Sequence, residues 1–341
     1  MIDLRSDTVT RPTPPMLKAM FEAEVGDDVL GDDPTVQRLE QAASEFLGQE
    51  AALFFPTGTM ANTVALKTWT QPGDELILDR RSHTYNLESG ANAALCGLSY
   101  YPVDTPDGIL TAEQVESAVR PANIHMPVTR VVVLEYTHNL GGGTCYSVER
   151  VREIRDVAHK HGLVLHMDGA RLANAAVAMG VKPADYGRLC DSVTQCLSKG
   201  LGCPVGTVLA GPAEYIQRAR RYRKMFGGGM RQSGYLAAAG LYALKHHVER
   251  LAEDHAKARR LADALSRIPG ISAHPERVQT NMVYFTFRDG PDRAARAVER
   301  LKARGVLLLA PRGATIRAVT HLDVTEMDMD QAAKVLREEM R

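Results

Sequence analysis

No sign of charge dominates this chain. Its 41 basic residues are matched by 41 acidic ones, for a formal net charge of zero, which removes the pull toward nucleic acid or an anionic membrane that a strongly basic protein exerts. Local runs such as RARRYRK (218–224) are expected on helix faces or at a local anion site. No apolar run approaches the roughly 20 residues of a membrane-spanning helix. The opening MIDLRSDTVT also lacks the basic end and greasy centre of a signal peptide. Cysteine is sparse: Cys96, Cys145, Cys190, Cys196 and Cys203 are odd in number and too scattered for a zinc pattern, a usage that suits a reducing cytosol. Together these absences predict a cytoplasmic protein with neither nucleic acid nor membrane as a partner. AHKHG (158–162) has no acid or cysteine set beside its two histidines, so no metal is expected. The GGG runs at 141–143 and 227–229 lack the spacing and preceding strand of a dinucleotide fingerprint. Internal repeats, low-complexity tracts and flexible linkers are missing too.

What is present is ordinary globular material: 341 residues, 45% apolar and 24% charged, enough for one large domain and one small one. Between residues 51 and 211 the short β-rich runs AALFF, ELILD, LSYYPV, RVVVLEY, LVLHMD, SVTQCLS and GTVLAG recur, several alternating with helical patterns. Between RVVVLEY and LVLHMD, Val148, Val151, Ile154 and Val157 or Ala158 follow Ser147 at helical spacing and Gly162 closes the run, which makes a β-α-β unit. Runs apolar on both faces and separated by helices indicate an α/β fold with a mainly parallel, seven-stranded sheet buried on both sides. From about residue 236 the pattern changes to one long helix through LAAAGLYALKHHVERLAEDHAKARRLADAL, then MVYFTF, a helix, VLLLA, TIRAV and a last helix, a smaller α+β domain. The expected division is an N-terminal arm and helix (1–45), a large domain (46–235) and a small C-terminal domain (236–341). His246, His247 and His255 sit on the charged long helix and are expected to be solvated.

Ligands of such sheets gather at the carboxyl ends of the strands, and three ends carry informative polar residues. AALFF runs into PTGTMAN, where Gly58 and Thr59 open a helix whose free amides suit a phosphate. LVLHMD ends in Asp168, with Arg171 one turn beyond, and SVTQCLS ends at Lys199. A lysine in a glycine-rich turn is usually just solvated. Converging with an acid and a phosphate cradle, however, it becomes what a pyridoxal phosphate (PLP) site requires. The ring withdraws electrons while its nitrogen is protonated, a form that a buried carboxylate at Asp168 favours. A primary amine, Lys199, is needed to hold the aldehyde until a substrate amine displaces it. The small neighbours Ser198, Gly200 and Gly202 are expected to let the backbone approach the cofactor.

Six blocks, RSDTVT (5–10), PTGTMAN (56–62), HMDGARLANA (166–175), CLSKGLGCPVG (196–206), RKMFGGGMRQSG (223–234) and RAVTHLDV (317–324), closely resemble in order and spacing the low-specificity L-threonine aldolases of the fold type I PLP enzymes. The resemblance covers nearly the whole chain. It implies a lyase that splits the Cα–Cβ bond of L-threonine, L-allo-threonine and related β-hydroxy-α-amino acids into glycine and an aldehyde. By it, Lys199 carries the cofactor and Asp168 pairs with the ring nitrogen. Arg171 reaches the phenolic oxygen and lies near the substrate carboxylate, Gly58 and Thr59 hold the phosphate, and His83 stacks on the ring. Ser6 and Arg317 match the carboxylate clamp, a role suited to a two-donor guanidinium. Lys224 and Arg231 match residues that reach a neighbouring subunit's phosphate, so the resemblance implies a homo-oligomer, a dimer of dimers, with sites at the dimer interface. The β-hydroxyl base is His83, His125 or a water they hold, and the sequence does not rank them. Leu30 and Leu87 stand where the family has tyrosine and an aromatic residue near the substrate side chain, and Tyr136 where it has asparagine, so bulky substrates such as β-phenylserine are expected to fit. The alternatives are another PLP reaction, an aminotransferase or β-eliminating lyase, and a PLP-binding protein without turnover.

Overall fold

Thirteen strands appear in the computed structural model, which describes residues 1–340: β1 (Ile2–Asp3), β2 (Ala51–Phe55), β3 (Glu75–Asp79), β4 (Ser99–Val103), β5 (Thr129–Glu135), β6 (Val164–Asp168), β7 (Ser192–Cys196), β8 (Thr207–Gly211), β9 (Ile271–Ala273), β10 (Met282–Phe287), β11 (Val306–Leu307), β12 (Leu309–Arg312) and β13 (Thr315–Val319). Strands β2 to β8, the seven runs expected from the sequence, form one sheet in the order β2-β8-β7-β6-β5-β3-β4. Only β8 runs against its neighbours; the β3–β4, β3–β5, β5–β6 and β6–β7 pairings are parallel. Helices cover both faces, so β3, β7 and β8 are buried at every position, while the edge strand β4 is half-buried throughout. Because β5, β6 and β7 are parallel, their last residues lie along one rim, with Glu135 in register with Asp168.

A second core gathers around the antiparallel sheet β12-β13-β10-β9 and the helices Pro291–Ala303 and Glu326–Glu339. The first 45 residues divide between the two cores. β1 pairs in parallel with β11, and Ile2 and Leu4 are buried in the second core. The helix Pro34–Leu47, capped by Asp33, instead buries Val36, Leu39, Ala43 and Leu47 in the large core.

The long helix expected after residue 235 is in fact two, Gly234–His246 and Leu251–Ser266. The first packs Ala237, Ala239 and Ala243 into the large core. At the break, His247 turns inward and its Nδ1 meets the Leu201 carbonyl at 2.8 Å. That tertiary bond leaves no trace in periodicity. His255 is buried as well, its Nε2 3.3 Å from the Asn174 amide, and burial lowers its pKa to about 4. His247 and His255 are therefore core residues rather than solvated ones; His246 is exposed. Among the described residues no helix is long and apolar enough to cross a membrane.

Candidate active site

A cavity of about 140 Å³ opens at the rim of the large sheet, lined by Gly58, Thr59, Asn62, His83, Glu88, Asp168, Ala170, Cys196, Ser198 and Lys199. Six residues singled out from the sequence (Gly58, Thr59, His83, Asp168, Ser198 and Lys199) thus line one cavity. Gly58 and Thr59 begin the helix Gly58–Trp69, whose cap, Thr57, accepts the Met60 amide at 3.2 Å. The first-turn amides of Gly58 and Thr59 have no acceptor within the helix. Gly58 is there for space: a Cβ would stand 2.9 Å from the Cys196 sulfur, so only glycine lets this helix end close on β7. Lys199 follows β7 in a tight turn in which the Gly202 amide, at φ +79°, donates to the Lys199 carbonyl at 2.8 Å. The missing Cβ of Gly200 makes room for Leu251, 3.0 Å away, so this glycine also lets the turn pack against the helix Leu251–Ser266.

Asp168, at the end of β6, is 2% exposed. Asn62 donates to its Oδ2 at 2.9 Å, the Ala170 amide to its Oδ1 at 3.2 Å, and Thr84 contributes a weaker bond at 3.4 Å. Among the described residues no arginine or lysine pairs with it. A buried carboxylate without a cation is costly. In the same cavity as an amine and a helix N-terminus, it fits a protonated ring nitrogen, so the residues present match pyridoxal phosphate.

Arg171 starts the helix after Asp168, and its backbone is fixed by a bond from its amide to the Tyr136 carbonyl at 2.9 Å. Its guanidinium is buried and grips Asp7 in a fork, Nε to Oδ2 at 2.8 Å and Nη2 to Oδ1 at 2.6 Å, which leaves Nη1 for a ligand. Asn281, just before β10, also donates to Asp7, at 3.2 Å. Burial alone would raise the Asp7 carboxyl, but the charge and hydrogen bonds of Arg171, with help from Lys199 and Asn281, hold it far below the usual carboxylate range. Beside it, Ser6 caps the short turn Asp7–Val9 by accepting the Thr8 amide. Arg317, on β13, donates from Nη1 to the Asn139 side chain at 2.8 Å and from Nη2 to the Arg5 carbonyl at 3.0 Å. Among the described residues its buried Nε finds no partner, a donor left for an anion.

His83 opens a four-residue helical turn, Ser82 before it and Leu87 after. Its amide donates to Glu135 at 2.6 Å and its Nδ1 lies 3.0 Å from Glu88 Oε1. Burial lowers the imidazole's pKa, but the Glu88 bond and the charges of Asp168, Glu88 and Glu135 outweigh it, so the pKa stands above its ordinary value. Glu135 Oε1 accepts the Asn139 amide at 2.8 Å, which ties the His83 segment to the residue holding Arg317. The Tyr136 side chain points away from the cavity, its hydroxyl on the Tyr146 carbonyl and its ring against Tyr146 and Tyr186, so the departure from asparagine there touches the core and not the site.

His125, Leu30, Leu87, Lys224 and Arg231 are not brought to this cavity by their own chain. All five are exposed. His125 lies on a loop with Ile124, 96% exposed. Leu30 tips a loop fastened by Asp28 to Arg223 and by Asp27 to Arg231. Asp7, Asn62, Glu88, Glu135 and Asn139 were not picked out from the sequence. Asn62 carried a signal, since it stands four residues after Gly58 on the same helix and so shares its face.

Comparison with known proteins adds the following. The family model described as beta-eliminating lyase matches residues 3–288. A low specificity L-threonine aldolase of Escherichia coli (strain K12) is 47% identical over 334 residues, covering 98% of this chain and 97% of that protein. The low-specificity L-threonine aldolase 1 of Arabidopsis thaliana is 41% identical over 344 residues, covering 99% and 96%. Among solved structures, a threonine aldolase of Leishmania major superposes with a TM-score of 0.86 at 22% identity over 100% of both chains. A serine palmitoyltransferase of Sphingomonas wittichii does so at 0.79 and 20% identity, over 99% of this chain and 86% of that one. At these identities the two structures speak for the fold.

Proposed function

We infer, this chain belonging to the beta-eliminating lyase family and to its low-specificity L-threonine aldolases, that it is a PLP-dependent lyase cleaving L-threonine at Cα–Cβ to glycine and an aldehyde. The observation that carries the reading is the buried Asp168 carboxylate, without a cation of its own, sharing a cavity with the Lys199 amine. Pyridoxal phosphate, held by these residues, would supply the electron-withdrawing ring that cleavage at Cα needs.

The remaining work falls to side chains. Lys199 holds the cofactor through its amine, Asp168 keeps the ring nitrogen charged, and the amides of Gly58 and Thr59 take the phosphate. Arg171, whose Nε and Nη2 are taken by Asp7, would serve the phenolic oxygen through Nη1. Arg317, with its unused Nε, and the Ser6 hydroxyl hold the substrate carboxylate. Fixing that carboxylate would orient the substrate so that its Cα–Cβ bond is the one presented for cleavage. The β-hydroxyl proton passes to His83 or to water that it holds. L-allo-threonine and bulkier β-hydroxy acids would be accepted too, with the exposed Leu30 and Leu87 of a second copy giving apolar surface beside the substrate side chain.

The working unit is a homo-oligomer, a dimer of dimers. Exposed Leu30, Leu87, Ile124 and Met225 form the apolar part of its contacts, and Lys224, Arg231 and His125 reach a second copy's cavity. The cytoplasm suits the chain, since its five cysteines are free thiols. Incubation of the holoenzyme with L-threonine, L-allo-threonine and β-phenylserine, measuring glycine and aldehyde, tests the reading, with Lys199→Ala as the inactive control. A keto acid product in place of glycine would point to an aminotransferase or eliminating lyase instead.

A further inference from the structure

Glu88 is a buried acid that the reaction described above leaves without a task. It is 3% exposed and lies five residues beyond His83, its Oε1 3.0 Å from His83 Nδ1. Asn62 Nδ2 donates to that same oxygen at 2.9 Å and also to Asp168 Oδ2 at 2.9 Å, so one amide spaces the two carboxylates. The Asn62 carbonyl is in turn fixed by the Thr194 hydroxyl at 3.3 Å. Ligand atoms of His83, Glu88 and Asp168 lie within 4.8 Å of one another.

We propose that Glu88 is a positioning residue for the aldolase reaction, which accepts the proton on His83 Nδ1 and thereby leaves Nε2 as the imidazole's lone-pair nitrogen toward the substrate. The proposal rests on the aldolase reading for its kinetic consequence but not for its geometry. An ionised carboxylate only accepts, so a bond between Oε1 and Nδ1 requires the hydrogen to be on Nδ1. Fixing one ring nitrogen in this way sets the role of the other, as an acid does for the base in hydrolytic triads. The charged groups facing His83 come from three directions: Glu88 on its own segment, Glu135 at the end of β5 and Asp168 at the end of β6; Lys199 lines the same cavity. Of these only Glu88 touches the imidazole. Glu135 bonds the backbone amide instead. Burial and the Asp168 charge raise the Glu88 carboxyl, against the opposing His83 and Asn62 bonds, and His83 is raised too.

The test uses the holoenzyme labelled with 15N-histidine, the His83 signals being assigned by their loss in His83→Asn. The expected result is an Nδ1 of the protonated type and an Nε2 of the lone-pair type on the basic side of the titration. Glu88→Ala should remove that preference. Glu88→Gln, which keeps an acceptor but not the charge, should keep the tautomer, move the His83 titration to lower pH, and shift the acid limb of kcat for L-threonine the same way. In Glu88→Ala, kcat should fall about tenfold or more with KM within about twofold. An Nε2-protonated His83 in the unaltered enzyme, or a His83 spectrum and pH profile unchanged in Glu88→Ala, overturns the proposal. Failure of the unaltered enzyme to release glycine would overturn the aldolase reading and leave the tautomer assignment standing.

Discussion

Replacing Asp7 with asparagine is expected to cost the protein far more than the loss of one acid on a surface. The carboxylate is fully buried, makes two short charge-assisted bonds to Arg171 and accepts a third from Asn281. Asparagine keeps the volume but not the charge, and it leaves the Arg171 guanidinium buried without a counter-charge. Removing one partner of a buried pair costs about 3–5 kcal/mol, a large part of the roughly 5–15 kcal/mol by which domains are stable. Urea unfolding of the PLP-free protein at pH 7, followed by fluorescence and circular dichroism, reads the difference. The pH dependence gives a second handle. Because the folded-state pKa of Asp7 is depressed below the 3.8 of a free aspartate, its contribution is complete above that value and is lost as pH falls through the folded one. The unaltered protein should therefore lose stability as pH falls below about 4 by an amount that Asp7→Asn does not lose. A cost under about 1 kcal/mol at neutral pH, the level of an exposed pair, would refute the argument that this clamp is energetically sealed from water.

Three other outcomes follow from distances already given. Gly58→Ala should weaken PLP binding about tenfold, or 1.4 kcal/mol, by equilibrium dialysis, because its Cβ meets the Cys196 sulfur at 2.9 Å; Cys196→Ala in the same chain should restore binding. Arg317→Lys should raise KM for L-threonine at least tenfold with kcat within a few-fold, in steady-state assays, since an ammonium cannot bond Asn139 and Arg5 and still present a planar donor to a carboxylate. Leu30→Tyr should shift the ratio of kcat/KM away from β-phenylserine toward threonine, and an unchanged ratio would remove Leu30 from the substrate's surroundings.

Much of this was legible in the chain itself because the responsible forces are local. Each of the seven sheet strands is an apolar run cut off by turn residues, and Gly58, Asp168 and Lys199 could be placed because parallel strands put their carboxyl ends on one rim. What stayed hidden depends on contacts distant in sequence. Asp7 sits inside a quoted motif, yet nothing near it reveals that Arg171 is its partner. The two helices at Gly234–His246 and Leu251–Ser266 read as one because no glycine or proline separates them; a bond from His247 to the Leu201 carbonyl does. His255 carries the same lesson, since its charged neighbours Arg259 and Glu253 face outward while it faces Asn174. Glu88 followed His83 in plain view, but a five-residue separation is neither a helical nor a strand repeat.

The pairing of β1 with β11 has a consequence for biosynthesis. The Ile2 amide bonds the Gly305 carbonyl, and the Leu4 amide bonds that of Leu307. Ile2 and Leu4 thus leave the ribosome long before the segment on which they dock, and Ser6 and Asp7 wait with them. A nascent chain can assemble its large sheet early, yet Arg171 stays without its acid until the Gly305–Leu307 segment has emerged. A chain released too soon should therefore be a folded scaffold that cannot turn over substrate.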